Sequence, residues 1–271
     1  MVEELFACLD GSALAERILP LVRDIAASQP VRISLLRVVG DTDELTSEET
    51  HLRELARQYK AEVRILISAD PAAGIIAELE KNPGAIAAMT THGRTAWAET
   101  LVGSVAFTVM RRCARPVILY RPLVKDAEAP KRITTIVVAI DGTDFSETVI
   151  PYATGMAKDL SARLLLVQAL PLQSTIPQGP DGETVVLFES SYLQRKAATL
   201  KESHGIPADW EVLHGDPADA ICRYLKDMPN TLLAMTTHAR GPVERAMLGS
   251  VAGYCVRHSG VPLLLYWPQP H

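Results

Sequence analysis

Residues 88–106, AMTTHGRTAWAETLVGSVA, return as residues 234–252, AMTTHARGPVERAMLGSVA. Ala88-Met89-Thr90-Thr91-His92 and Gly103-Ser104-Val105-Ala106 thus recur 146 positions later, and Asp70-Pro71 recurs at the same offset as Asp216-Pro217. Nearer the start the offset is 131, pairing Asp10-Gly11 with Asp141-Gly142 and Pro20 with Pro151. The change of offset marks an insertion of 15 residues in the second copy. It is expected within residues 171–191, where PLQSTIPQGPDGETVV carries the Pro, Gly and Gln of an irregular loop. Separated matches that keep their order make the chain a tandem duplication. The stretch RPLVKDAEAPKR, residues 121–132, reads as a surface linker because of its prolines and charges. The expected units are residues 1–124 and 133–271, joined by a linker at 125–132.

Each copy alternates short apolar runs with helix-like stretches. In the first copy, strands are expected at 5–9, 31–39, 62–67, 85–89 and 117–120, with helices at 13–27, 46–60, 72–80 and 105–113. Ser12 is a suitable N-cap for the first helix, with Glu16 in the following turn. The second copy repeats the strands at 136–140, 164–169, 211–213, 232–235 and 263–266. Nearly continuous apolar strands separated by helices predict an α/β fold, a parallel sheet covered by helices on both faces. Five strands per copy suit a doubly wound sheet, in which ligands bind beyond the strand C-termini where strand order reverses.

The composition agrees. Of 271 residues, 48% are hydrophobic and 22% charged, which excludes wholesale disorder, and dividing the length by ~150 residues per domain suggests about two domains. A net charge of −5 and a pI near 5.8 argue against a nucleic-acid or anionic-membrane binder. No apolar run approaches the ~20 residues of a membrane span, and the acidic start Met-Val-Glu-Glu is unlike a signal peptide. Cys8, Cys113, Cys222 and Cys255 show no zinc spacing, so reduced, mostly buried thiols in a cytoplasmic protein are expected.

With strand order 3-2-1-4-5, strands one and four flank the switch point, so Asp10 faces Thr90-Thr91-His92-Gly93 across a crevice. Gly103-Ser104 opens the last helix, where unpaired amides and the positive dipole end favour an anion, and Gly93 and Gly103 would let backbone approach a phosphate. A carboxylate, a glycine turn and a helix N-terminus around one crevice suit a nucleotide. Each feature also has a structural reading: Ser104 and Ser250 as N-caps, Asp10 and Asp141 as Asx-type turns on the following helix, Met89 and Met235 as core filling. His92 and His238 recur without a second ligand at metal spacing, which favours loop packing over metal binding or catalysis. Arg111, Arg112 and Arg115 close a helix where cations offset the dipole.

LDGS near the start, DP before a helix, MTTHGRTAWAETLVGSVA and the closing RPVILYRP together resemble the universal stress protein family, over both copies. The resemblance implies two Rossmann-like (adenine nucleotide alpha hydrolase-like) domains. Nucleotide-binding members carry G-x2-G-x9-G-[ST]. Laid on the first copy, that pattern meets Thr90 in place of its first glycine, then Gly93, then Gly103-Ser104 after nine residues. On the second it meets Thr236 and Ala239 in place of two glycines, then Gly249-Ser250. The β-branched Thr90 and Thr236 are expected to narrow the crevice and resist positive φ. Any ATP-like ligand should therefore favour the first copy.

By position, the resemblance carries nucleoside contact to Asp10 and Asp141, and adenine contact through backbone to Val38 and Ala169. It carries the adenine wall to Met89 and Met235, and phosphate contact to the Gly103-Ser104-Val105 and Gly249-Ser250-Val251 turns. Arg94 and Arg240, next along each chain, read equally as partners for phosphate charge or as solvated surface residues. Mg²⁺ would arrive with the phosphates. The function implied is a nucleotide-responsive, ATP-like binding module of the stress response; the alternative is a structural or interaction protein with degenerate crevices. Slow hydrolysis is the most expected of it, since no Walker-type lysine is evident. The SGGxDS-type loop of adenylate-forming enzymes is absent. Residues 117–120 and 263–266 are short apolar edges that want a partner. In the family such edges pair, implying that the two copies associate within the chain; a homodimer of whole chains is left undecided.

Overall fold

The computed structural model describes residues 2–28, 30–41, 45–91, 102–122, 132–170, 184–237 and 248–269. Among them, ten strands form one sheet. The first copy contributes β1 (Glu4–Leu9), β2 (Arg32–Val39), β3 (Glu62–Ile67), β4 (Ala85–Thr90) and β5 (Val117–Tyr120). The second contributes β6 (Thr135–Ala139), β7 (Arg163–Leu170), β8 (Ala208–His214), β9 (Thr231–Thr236) and β10 (Leu263–Tyr266). The order is β3-β2-β1-β4-β5-β10-β9-β6-β7-β8. Each copy therefore has the expected order 3-2-1-4-5, with every pairing inside a copy parallel. The two sheets merge through one antiparallel pairing, Val117, Ile118 and Leu119 of β5 opposite Leu265, Leu264 and Leu263 of β10. The apolar edges that the sequence left wanting a partner satisfy each other, and all six of these residues are at most 1% exposed.

Strand alternation sends side chains to two cores. One contains Leu5, Ala7, Ala88, Ile118, Ile136 and Ala234, covered by α1 (Leu19–Ala27), α2 (Leu45–Tyr59), α6 (Ile150–Leu160) and α7 (Thr184–His204). The other contains Phe6, Cys8, Met89, Val137 and Met235, covered by α3 (Pro71–Lys81), α4 (Ser104–Arg112), α8 (Pro217–Leu225) and α9 (Ser250–His258). Corresponding helices of both copies lie on the same face, so an approximate twofold axis runs through the seam at right angles to the sheet.

Two expectations need correction. The helix expected over 13–27 is broken into a 3₁₀ turn, Ala15–Ile18, and α1, which starts at Leu19 with Pro20 in its first turn. Proline has no N–H for the preceding turn and fits best where none is needed. The insertion is also not all loop. The helix α7 begins at Thr184 and runs 21 residues against 15 in α2, because TVVLFESS beyond Gly182 contains no breaker. Residues 171–183 and most of the expected linker, 125–131, lie outside the described residues.

Candidate functional site

The site begins with where β1 stops. Its last residue, Leu9, sits opposite Arg37 of β2, and Ala7 is the last residue paired with β4, opposite Ala88. Val38 therefore runs past the end of β1 on one side, and on the other Met89 and Thr90 lie beyond its last pairing with β4, leaving a gap between neighbouring strands. The chain leaves that gap through Asp10-Gly11-Ser12. Gly11 has φ +80° and Gly142 has φ +83°, a conformation that favours glycine, which explains the recurrence of Asp-Gly.

A cleft of about 270 Å³ occupies this gap. Asp10, Val38, Met89, Thr90, Gly103, Ser104 and Val105 all line it, together with Cys8, Arg37 and Ile75. Seven positions named from sequence thus meet at one place. Gly93 and Arg94, with His92, lie outside the described residues, as do His238, Ala239 and Arg240 of the second copy. Val38 and Ala169 fall within β2 and β7, both of which continue beyond the end of their first-strand neighbour.

Gly103, and not Ser104, occupies the N-cap position of α4, with φ −58° and no side-chain capping bond. Gly249 does the same for α9. Ser104 and Ser250 are the first helical residues and are exposed, so the serine-cap reading fails for both. The Phe107 amide donates to the Gly103 carbonyl, the first bond of the helix. The amides of Ser104, Val105 and Ala106 precede it and lack an intrahelical acceptor. Thr91 anchors this turn: its carbonyl accepts from the Gly103 amide, and its own amide donates to Tyr120. In the second copy the Thr237 hydroxyl accepts from the Gly249 amide at 3.3 Å.

The aspartates do make the Asx turns. Asp10 Oδ1 accepts from the Ser12 amide (3.0 Å) and hydroxyl (2.6 Å), and Ser12 Oγ accepts from Ala15 N. Asp141 repeats this with Thr143 at 3.0 and 2.6 Å. Burial pushes the Asp141 carboxyl up, but hydrogen bonds from Thr143 and Ser146 outweigh it and hold the group below its ordinary value. Met89 (4% exposed) both packs in the core with Val38 and Ile75 and lines the cleft. Met235 is buried in the same core as Ala220 and Ala252. Cys8 forms part of the wall as a neutral thiol, its pKa pushed up to about 12 by burial and by the nearby Cys113.

Thr90 stands at the cleft wall, where the sequence put it. Thr236 is its counterpart. Its hydroxyl donates to the Ser146 carbonyl (3.0 Å) and lies 3.1 Å from Thr148 Oγ1. Strand alternation carries it to the face opposite Met235, as it carries Thr90 to the face opposite Met89, and this side chain anchors the end of α5 (Asp144–Glu147). Sequence reasoning missed Arg37, 6% exposed, a cation inside the otherwise apolar stretch LLRVV; that interruption was the available signal. Its counterpart Gln168 is also 6% exposed, and its Oε1 has no hydrogen-bond partner among the described residues. Among the described residues no three His, Cys, Asp or Glu side chains gather as a metal cage, and no helix is long and apolar enough to cross a membrane.

The profile of the universal stress protein family matches residues 1–121 and again 132–266. A universal stress protein of Methanocaldococcus jannaschii is 24% identical over 135 residues, 48% of this chain and 79% of that protein. One from Mycobacterium tuberculosis is 26% identical over 155 residues, 50% of this chain and 48% of that protein, so the match spans about half of that relative. The crystal structure of a universal stress protein from Archaeoglobus fulgidus shares the fold with a TM-score of 0.75 at 20% identity, over 99% of this chain and 100% of that one. The chain belongs to the universal stress protein family, with one match to that family on each side of the seam.

Proposed function

We propose that the chain is a nucleotide-responsive binding module whose first copy, residues 1–124, takes ATP or a related adenine nucleotide, joined through the linker at 125–132 to a second copy, residues 133–271, of weaker affinity. The observation that supports this best is the meeting of Asp10, Val38, Met89 and the uncapped first turn of α4 around one cleft. The three leading amides of α4 have the donor chemistry for phosphate, reinforced by the helix dipole. Val38 and Met89 offer an apolar wall for a base, and the Asp10 carboxylate, lining the same cleft, has the acceptor chemistry for a ribose hydroxyl. At about 270 Å³ the cleft is at the small end of ligand pockets, which suits the nucleoside portion. Mg²⁺ would be held by the phosphates, with no protein cage required. Occupancy would then bias assembly or partner choice, since a ligand shifts whichever state it binds better.

The alternative, an interaction protein with degenerate crevices, draws on one observation: both aspartates already spend an oxygen on their own turns. Thermal unfolding with and without ATP–Mg²⁺ decides between them, with Thr90→Gly and Ser104→Ala alongside. Ligand at about 100 times its Kd stabilises by roughly 2.7 kcal/mol. The expected result is a raised Tm for the chain, further raised by Thr90→Gly. No shift at millimolar nucleotide in either protein establishes the alternative, and multiple-turnover phosphate release would make the chain an enzyme.

A further inference from the structure

Between its last two helices the second copy carries a pair of sulfurs where the first has none. Cys222 on α8 and Cys255 on α9 face each other across the contact between those helices, with Sγ atoms 3.8 Å apart and in hydrogen-bond contact. Both are free thiols, 4% and 0% exposed. At the corresponding positions of α3 and α4 the first copy has Ile76 and Val109, buried in the same core. The site thus packs well with two hydrocarbon side chains, and packing alone does not call for cysteine at both positions. Two cysteines on separate helices, meeting at their sulfurs, form a preset cross-link: a separation of 3.8 Å has to close to the ~2.05 Å of a disulfide.

We propose that Cys222 and Cys255 form an intrachain disulfide on exposure to a hydroperoxide, locking α8 to α9 in the second copy alone. Cys222 is the attacking sulfur. It is the less buried of the two, and the shared hydrogen bond with Cys255 favours its thiolate against the cost of burial. The same hydrogen bond, with burial, pushes Cys255 strongly up and keeps it a thiol. The Cys222 thiolate attacks the peroxide; the O–O bond breaks, the sulfur becomes a sulfenic acid, and the departing oxygen takes a proton to leave as water or an alcohol. The Cys255 sulfur then attacks the Cys222 sulfur. An S–S bond forms, the S–O bond breaks, and the hydroxyl leaves as water with the Cys255 proton. Two thiols are oxidised by two electrons and the peroxide is reduced.

The consequence reaches the second crevice, because α9 begins at Gly249-Ser250, the turn matching the proposed phosphate site. The cross-link fixes that turn to α8 and leaves the first copy untouched. It also closes a loop between residues 33 apart, which restricts the unfolded chain and raises stability.

The test uses the full reduced chain in native buffer, treated with hydrogen peroxide, quenched with an alkylating reagent and mapped by mass spectrometry. Loss of two alkylatable thiols and a peptide joining Cys222 to Cys255 are expected, with a rise in Tm reversed by dithiothreitol. Cys222→Ile and Cys255→Val, which copy the first half and so preserve packing, should each lose the cross-link and the Tm rise. A Cys8→Ala, Cys113→Ala double variant should keep both. Four thiols still alkylatable after peroxide, a cross-link to Cys8 or Cys113 instead, or accumulation of sulfinic acid on Cys222 would each overturn the proposal.

Discussion

A carboxylate placed at the start of α4 should push stability and nucleotide affinity in opposite directions. Ser104 is the first helical residue, exposed, with no side chain capping the turn. In Ser104→Asp the new charge sits on the positive end of the helix dipole, worth about 0.3–1 kcal/mol without ligand. For a chain of this size that corresponds to a Tm rise of about 1–3 °C. A phosphate bound by the same amides would lie roughly 5 Å from that carboxylate. At an effective dielectric near 20 the repulsion is roughly 3 kcal/mol, and solvent screening at an exposed position reduces it to about 1.5–3. Affinity for ATP–Mg²⁺ should therefore fall about 10- to 100-fold by isothermal titration, while the unliganded protein melts higher. Ser250→Asp, the matching change on α9, should stabilise equally and leave the main binding event nearly unchanged. Unaltered ATP affinity in Ser104→Asp would show that phosphate does not sit at this turn. A lowered Tm without ligand would show that its amides are not free to receive an anion.

At the seam, Leu264 is fully buried opposite Ile118, so Leu264→Ala should cost about 2–5 kcal/mol and, in a urea melt, shift one common transition. Two separated transitions in the native chain would show that the copies unfold independently. On the other face of the second copy, burial pushes the Glu147 carboxyl up, but hydrogen bonds from Lys196 and Tyr192 outweigh it and hold the group below its ordinary range. A pKa lower in the folded than in the unfolded chain gives stability that is present above about pH 4.3 and lost as pH falls through the folded value. Glu147→Gln should accordingly be less stable than the native chain at pH 7 and lose that deficit in acid once the folded carboxylate is protonated, by urea melts across the pH range; an equal deficit at every pH would refute the linkage.

Much of this was legible in the sequence because duplication supplies its own control. The repeated Asp-Gly, Asp-Pro and Gly-Ser pairs located strand ends and helix starts twice over, and the apolar runs at 117–120 and 263–266 announced the seam. Four features were not legible, each for a local reason. Pro20 divides the first helix, and no periodicity reports where a 3₁₀ turn ends and an α-helix begins. The inserted residues blend into α7, since composition marks breakers but not the point where their influence stops. Ser104 looked like a cap because serine favours that position, yet the backbone gives it to Gly103. Thr236 bonds to the Ser146 carbonyl, a contact that depends on strand register, which only pairing fixes.

The antiparallel seam has a consequence for how this duplicated chain can change. Since β5 and β10 run in opposite directions, the carboxyl ends of the two sets of parallel strands point to opposite edges of the sheet. Among the described residues the first cleft is walled by positions 8–106, with none from the other copy. Fusion has therefore not created a composite pocket, and neither copy is bound to keep its chemistry for the other's sake. Substitutions such as Ala239 for glycine, Gln168 for Arg37, or a cysteine pair for Ile76 and Val109 can accumulate in one half while selection at the common β5–β10 ladder keeps the halves together. Divergence of the rims with constancy of the middle is the pattern to expect among chains built this way.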